Sequence, residues 1–168
     1  MKPEMRYGLI YGGISVLWTL VMYVTELNRS DYDWVVNLIS LIVPIVCMVM
    51  AVNEIKAAQS GYITFNQSFK KTLTVILVGG SIAAVFAVIY MNWIDPAFIE
   101  FTKNKQVLKM QDMGLSDDVI EKQMAQSEKF YQPQWMFLFS IVGILFFGSI
   151  FALIVSAIMK KPNPEEIV

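Results

Sequence analysis

Four long stretches of the sequence contain no charged residue and are apolar at almost every position. Each has 19 to 25 residues, and an α-helix needs about 20 apolar residues to cross the hydrocarbon core of a bilayer. The apolar positions occur all around the helix instead of forming one stripe, which is typical of helices surrounded by lipid or by other helices. The sequence therefore predicts four membrane-spanning helices, at Tyr7–Thr25, Val35–Asn53, Thr72–Ile94 and Trp135–Met159.

The first connection is short, whereas the second connection, residues 54–71, is longer and carries capping signals. Residues 26–34 form a polar turn, and Gly61 is a predicted C-cap of the second helix. Thr64 and Gln67 have the T-x-x-Q spacing of a capping box, which predicts the start of the third helix. No A-x-A cleavage site follows the first apolar stretch, so we expect that stretch to be retained as a helix.

Residues 95–134 are the one long polar connection. Asp95 and Pro96 predict the end of the third span or the cap of a new helix. Gly114 is a predicted C-cap glycine and Ser116 a predicted N-cap, so two helices are expected on either side of them. The connection is therefore predicted to be a helical hairpin and not a disordered loop.

Composition supports lipid as the main solvent. Hydrophobic residues make up 56% of the chain and charged residues 16%, whereas soluble proteins have about 45–50% and about 25%. We expect an all-α fold: an integral membrane four-helix bundle, in one domain of residues 1–168, with an extramembrane αα-hairpin between spans 3 and 4.

Composition also excludes several kinds of chemistry. The chain has one cysteine, Cys47, and no histidine, which excludes CxxC redox motifs, histidine-ligated haem and Ser-His-Asp catalysis. The acidic residues Asp117, Asp118 and Glu121 are explained by the start of a helix, where negative charge is favourable. We predict no catalytic, cofactor-binding or metal-binding residues, and no enzymatic activity. The net charge of −1 gives no electrostatic basis for binding nucleic acid.

Small residues recur at helical spacing in three of the spans. Helices in lipid associate by close packing, because burial of apolar surface gains little over contact with lipid. We expect these faces to pack inside the bundle. The alternative is that one of them, the Gly8 and Gly12 face, contacts a partner subunit. The helix-packing residues are Gly8, Gly12, Ser15, Gly79, Gly80, Ala83, Ala84, Ala87, Gly148, Ala152 and Ser156.

Two further features concern the spans themselves. Pro44 lies inside the second span, removes one backbone hydrogen bond and predicts a kink. Aromatic residues fall at the same ends of all four spans, where amphipathic rings prefer the headgroup region. This predicted interfacial belt consists of Tyr23, Tyr32, Trp34, Tyr90, Trp93, Tyr131 and Trp135.

Three short motifs carry a family resemblance. They are Arg6-Tyr7-Gly8, the stretch GYITFNQSFK at 61–70, and IDPAF at 94–98. With four spans and a long third connection, the chain resembles the family known as domain of unknown function 4199, found mainly in Bacteroidota. The resemblance implies a four-helix protein of the cytoplasmic membrane and supplies no ligand or functional residue.

These observations favour a non-enzymatic subunit or accessory protein of a bacterial inner membrane. Its helices and hairpin would dock a partner or a lipid-linked substrate. The expected partners are the lipid bilayer and either another membrane protein or a homo-oligomer. The alternative is a small transporter or lipid-handling protein that acts as a homo-oligomer. A polar-lined cavity within the bundle would favour the alternative.

Orientation follows from the positions of lysine and arginine. Seven of these residues flank the N-terminus, the second connection and the C-terminus, whereas most lysines of the long connection lie several residues or more from a span end. Cationic residues close to span ends favour the cytoplasm. We therefore expect both termini inside and the hairpin outside.

Cysteine labelling in intact cells tests this orientation. In a Cys47→Ala background, a membrane-impermeant thiol reagent should modify Gln126→Cys and should not reach Ser60→Cys. Labelling of position 60 alone would reverse the assignment.

Overall fold

The structure, a computed structural model, describes residues 1–30 and 33–163, without the side chains of residues 33–37. The described chain is helical and contains no strand, apart from one isolated bridge between Ile63 and Lys161. Short helical turns follow α1, α3 and α5. The helices are α1 Pro3–Val24, α2 Asp33–Ala58, α3 Phe65–Ile89, α4 Ala97–Asp112, α5 Asp117–Ser127 and α6 Pro133–Met159.

Four of these helices are long and apolar enough to cross a membrane. They correspond to the four predicted spans, with α3 extended by a π-helical turn at Tyr90–Ile94. Helices α4 and α5 lie in the third connection. The prediction of an all-α membrane protein with a helical hairpin is therefore confirmed. Helix α2 continues through Pro44, which is buried.

The predicted capping residues of the second connection form backbone and side-chain hydrogen bonds at the helix ends. The Thr64 amide donates to Gln67 Oε1 at 3.1 Å, and the Gln67 amide donates to Thr64 Oγ1 at 3.3 Å. This reciprocal pair confirms the predicted capping box at the start of α3. At the end of α2, the left-handed turn uses Ser60 (φ 55°) as well as Gly61 (φ 88°), and the Gly61 amide donates to the Lys56 carbonyl at 2.8 Å.

The chain forms two compact units, which are described separately. The first comprises Met1–Ala83 with the stretch from Ile141 onward, and the second comprises Ala84–Ser140. The core of the first unit is built from small and medium-sized residues. Its buried members are Cys47, Met48, Ala51, Val75, Ile76, Ala152 and Val155.

In the first unit, α1 approaches α3 at glycine positions. A Cβ atom on Gly79 would lie 2.0 Å from the Tyr11 ring and 2.6 Å from the Gly8 carbonyl oxygen. A Cβ atom on Gly12 would lie 2.8 Å from Ile82 Cβ. Side chains at these sites would collide with the neighbouring helix, so the close approach depends on glycine.

A second approach in the same unit joins α3 to α6. A Cβ atom on Gly148 would lie 2.3 Å from Ile76 Cγ2, and one on Gly80 would lie 2.8 Å from Ile144 Cγ2. The buried hydroxyls of Thr72 and Ser156 lie 3.2 Å apart and share a hydrogen bond across the two helices. Gly79 therefore allows the close approach of α1, and Gly80 allows that of α6.

The outward faces of the spans are apolar, and the inward faces combine apolar side chains with small and polar ones. Large side chains such as Leu17, Val46, Phe146, Phe147 and Ile158 are strongly exposed, while the buried residues include Ser68, Thr72 and Ser156. In water, so many large apolar side chains would not stay exposed, because their burial is favourable there. This distribution is the one expected where lipid surrounds the helices.

Polar contacts join both termini to the second connection. Lys71 Nζ lies 2.6 Å from Glu4 Oε1, and Arg6 forms an ion pair with Glu54. The Lys161 and Ile63 backbones exchange two hydrogen bonds of 2.9 Å. These three segments therefore lie at the same end of the first unit, as an even number of spans between the termini requires.

A paired glycine substitution tests the packing of α1. Gly12→Ile should lower the stability of the detergent-solubilised monomer by about 1–3 kcal/mol, because the new side chain would displace Ile82. Gly13 is the matched control, since it is exposed and no atom lies within 4 Å of its would-be Cβ atom. Thermal unfolding should separate Gly12→Ile from Gly13→Ile. Equal melting temperatures would contradict internal packing and favour a partner on this face.

Candidate docking site

The second unit begins with a buried polar corner where the third span ends. The helix widens to a π-helical turn at Tyr90–Ile94, and the Asp95 amide closes it on the Tyr90 carbonyl at 2.8 Å. The Tyr90 hydroxyl donates to Asp95 Oδ2 at 2.7 Å, and both side chains are buried. Phe98 packs edge-on against the Tyr90 ring, with centroids 5.8 Å apart. These contacts fix the start of α4.

The reversal from α4 to α5 follows the predicted sequence signals. Gly114 has φ +76°, and the Leu115 amide donates to the Met110 carbonyl at 3.2 Å, which is a Schellman-type ending. Ser116 is the N-cap residue of α5, but its hydroxyl makes no capping bond. Its backbone carbonyl accepts from Val119 and Ile120 instead. The glycine C-cap is therefore confirmed, whereas Ser116 caps by backbone position alone.

Contacts at both ends hold the two hairpin helices together. Met110 and Ile120 are buried near the reversal. At the other end, Lys103 Nζ lies 2.9 Å from Glu128 Oε1 and 5.1 Å from the centroid of the Tyr131 ring. The Tyr131 hydroxyl donates to Gln106 Oε1 at 3.0 Å. The two helices of the hairpin are thus held together by contacts at both of its ends.

An open groove of about 710 Å³ runs between these helices. On the α4 side, lining residues recur every three to four positions from Pro96 to Val107, over about 16 Å or three turns. On the opposite side, lining residues recur at the same spacing over two turns, from Glu121 on α5 to Glu128 just after it. The floor is apolar and the edges are charged. The groove is lined by Pro96, Ile99, Glu100, Lys103, Asn104, Val107, Glu121, Met124, Ala125 and Glu128.

The charges of the groove are unbalanced. Lys103 is engaged by Glu128, which leaves Glu100 on one wall and Glu121 on the other. Both residues are exposed, and neither has an ion pair within the described part of the chain. An apolar floor between two uncompensated carboxylates suits a ligand that presents both apolar and cationic groups.

The predicted helix-packing residues lie mostly in the interior. Gly8, Gly12, Gly79, Gly80 and Gly148 are buried at the helix contacts described above. Of the others, Ala84, Ala152 and Ser156 are buried, while Ser15, Ala83 and Ala87 are partly exposed. The Ser15 hydroxyl donates to the Tyr11 carbonyl of its own helix at 2.9 Å.

The residues of the predicted aromatic belt differ in their exposure. Tyr23, Trp93 and Trp135 are exposed, and Tyr131 is half-buried within the hairpin. Tyr90 differs from these members, because its ring is buried and its hydroxyl is bonded to Asp95. Tyr32 and the Trp34 side chain lie outside the described residues.

The residues of the groove were not singled out as a site by the sequence alone. The sequence nevertheless carries a signal for it, because the lining residues recur at three- and four-residue spacing: Ile99, Lys103 and Val107 on α4, and Glu121, Met124 and Glu128 along α5 and the turn after it. Asp117 and Asp118 lie outside the groove lining, in the first turn of α5, where negative charge is favourable. Among the described residues, no group of three or more Asp, Glu, Cys or His side chains is placed to hold a metal ion.

The described chain is that of an α-helical membrane protein, with four helices long and apolar enough to cross a membrane and a polar hairpin after the third of them. Within that class, residues 6–161 match the family model described as Protein of unknown function (DUF4199), and the chain belongs to this family. The earlier resemblance is thereby confirmed. No curated protein and no solved structure matches the chain.

The buried corner predicts a specific stability effect. Tyr90→Phe removes the hydroxyl that Asp95 accepts from, and the loss of a hydrogen bond to a buried carboxylate should cost about 1–3 kcal/mol. Tyr131→Phe is the control, since its hydroxyl bonds a neutral amide and is only partly buried. Hydrogen exchange of residues 97–112 should accelerate more in Tyr90→Phe than in Tyr131→Phe. Equal exchange would show that the corner does not hold α4.

Proposed function

We propose that this chain is a non-enzymatic docking protein of a bacterial inner membrane, and that its hairpin groove receives a helical segment of a partner protein. Both termini and the second connection face the cytoplasm, and the hairpin faces the opposite side. The positions of lysine and arginine support this orientation. Helical spans support the inner membrane, because outer membranes house β-barrels.

The observation that carries the proposal is the groove between α4 and α5. An amphipathic helix lays its apolar face into such a groove and anchors through residues spaced by three or four. The walls here offer that repeat over two to three turns, with Ile99, Val107 and Met124 among the apolar lining residues. The contacts of Lys103 with Glu128 and Tyr131 hold the helices in a fixed frame, which reduces the cost of ordering the site on binding.

The chemistry of the groove also favours a binding role over catalysis. Glu100 and Glu121 stand on opposite walls, and the residues that line the groove include no serine, threonine, cysteine or histidine. Carboxylates at the edge of an apolar groove orient a cationic partner and accelerate its association. The expected occupant is therefore an amphipathic helix with basic residues beside its apolar face.

An apolar depression on α6 favours a second candidate, a lipid-handling protein. It has a volume of about 470 Å³, and its lining includes Val142, Phe146 and Leu153. The one polar lining residue, Ser149, donates its hydroxyl to its own helix at the Leu145 carbonyl. An acyl chain would fit this surface, and the same experiment separates the two candidates.

Photo-crosslinking at adjacent positions tests the docking function. A benzophenone amino acid at Val107 faces the groove, whereas the same residue at Leu108 lies on the same helix, outside the groove lining, and is 60% exposed. In membranes of the native host, illumination should yield a protein adduct from position 107 and not from position 108. Glu100→Lys together with Glu121→Lys should reduce the adduct at position 107.

Two results would count against docking. One is the absence of any protein adduct from position 107, which would favour the lipid-handling alternative. The other is an adduct of equal yield from positions 107 and 108, which would indicate contact without a groove.

A further inference from the structure

One face of α6 joins the apolar depression to a lysine at the end of the helix. The depression is lined by residues that recur at helical spacing from Val142 to Leu153. Lys160 comes eighteen residues after Val142, and five turns of an α-helix contain eighteen residues. The Lys160 amide donates to the Ser156 carbonyl at 3.0 Å, so the helical hydrogen-bond pattern reaches this residue. Lys160 therefore continues the face that carries the depression.

The depression itself is formed by a small residue among large ones. Leu145, Phe146 and Leu153 stand around Ser149 in the lining, and all three are exposed. The Ser149 hydroxyl donates to the carbonyl of Leu145 at 2.5 Å, so it is already satisfied within its own helix. The surface left for a ligand is apolar, and a flexible hydrocarbon chain gains close contact there through dispersion.

The end of α6 lies in a region with excess positive charge. In the described part of the chain, seven lysine and arginine residues lie at this end of the first unit, against two carboxylates. Both carboxylates, Glu4 and Glu54, are engaged in ion pairs. Lys160 is exposed and makes no ion pair among the described residues. Its ammonium group can therefore pair with an anion from outside the chain.

The C-terminus of a helix carries a partial negative charge, which by itself would oppose an anion. At the end of α6, Lys56 Nζ donates to the Met159 carbonyl at 3.2 Å, and the Ile63 amide donates to the Lys161 carbonyl at 2.9 Å. The macrodipole places about half an elementary charge at a helix end. The full charges of Lys56 and Lys160 outweigh it, so the local field favours an anion.

The distance from Lys160 to the depression matches the depth of one lipid leaflet. Leu153 and Ser149 precede Lys160 by seven and eleven residues, which correspond to about 10 Å and about 16 Å along the helix axis. The hydrocarbon part of one leaflet is about 15 Å deep, half of the bilayer core. An acyl chain with its headgroup at Lys160 therefore reaches into the depression and ends beside Ser149.

We propose that this face of α6 binds one anionic phospholipid, with its phosphate at Lys160 and an acyl chain in the depression. The inference names the ligand of the surface that favours the lipid-handling candidate, and it does not depend on the hairpin groove. A lysine near a span end extends to the headgroup level, where it meets phosphate. Lys161 is turned by about 100° from this face, and its Nζ lies 5.3 Å from the centroid of the Tyr62 ring.

The charge of the region also selects among phospholipids. Phosphatidylethanolamine has a phosphate, but its own ammonium group is repelled by the basic residues at this end. Phosphatidylglycerol has the same phosphate and no cation, so its headgroup keeps a net negative charge. The site should therefore prefer phosphatidylglycerol when the acyl chains of the two lipids are identical.

Photoactivatable lipids in nanodiscs test this site with the full-length protein. Phosphatidylglycerol and phosphatidylethanolamine probes carry the same diazirine-labelled acyl chain and are added in trace amounts to phosphatidylcholine. After illumination, peptide mass spectrometry should place adducts at residues 146–153. The phosphatidylglycerol probe should give about fivefold more adduct there, which is the effect of one lysine at an anionic headgroup.

Two lysine variants separate a site from general electrostatic attraction. Lys160→Gln should remove the preference for phosphatidylglycerol at residues 146–153, whereas Lys70→Gln should retain it. Lys70 is the matched control, because it is an exposed lysine at the same end of the first unit but lies on α3. The phosphatidylethanolamine adduct should be unchanged in Lys160→Gln, which shows that the variant is folded.

A second pair of variants tests the depression separately from the charge. Ser149→Leu would fill the space of the acyl chain, so the adducts of both probes at residues 146–153 should be lost. Gly143→Leu is the control, since Gly143 is outside the lining and no atom lies within 4 Å of its would-be Cβ atom. It should leave the adducts unchanged.

Several results would show annular lipid only and overturn the site. They are equal adducts from the two probes, adducts spread evenly over the four spans, and equal loss of the preference in Lys160→Gln and Lys70→Gln. Adducts that persist in Ser149→Leu, or that fall equally in Gly143→Leu, would also overturn it. The docking function is tested by the crosslink at Val107 of the hairpin, so each proposal can fail without the other.

Discussion

Close approach of helices at glycine is the constraint on which the first unit depends. Lipid solvates large apolar side chains as well as a neighbouring helix does, so burial of such groups gives little drive for association. Contact must come from backbone proximity and from hydrogen bonds formed away from water. Gly79 and Gly80 supply that proximity on two sides of α3, towards Tyr11 of α1 and Ile144 of α6. The Thr72 and Ser156 hydroxyls then come within hydrogen-bonding distance.

The second unit is built on the opposite principle. Its helices are polar, so their association relies on ion pairing, aromatic contact and capping at the ends. The buried bond from Tyr90 to Asp95 fixes the start of α4, and the left-handed Gly114 fixes its end. What lies between the fixed ends is a groove, because the hairpin has only two helices and the side facing away from their contact is left without a third.

The proposed role depends on this open side of the hairpin, where the groove lies. Among the described residues, Glu100 and Glu121 form no ion pair with a lysine or arginine, and Lys122 and Lys129 form none with a carboxylate. The proposed docking role rests on the shape of this groove and on the two carboxylates, Glu100 and Glu121, that line it.

The sequence by itself determined the elements of this protein, because their causes are local. Span length, absence of charge, the box at Thr64 and Gln67, and the glycine ending at Gly114 depend on neighbouring residues, and the structure reproduces them. Only the tertiary structure decided which neighbour each glycine serves, that Tyr90 points inward to Asp95, and that two faces of α4 and α5 enclose a groove. Those outcomes depend on the relative placement of distant segments, and helical periodicity gives the faces of a helix without giving what lies opposite them.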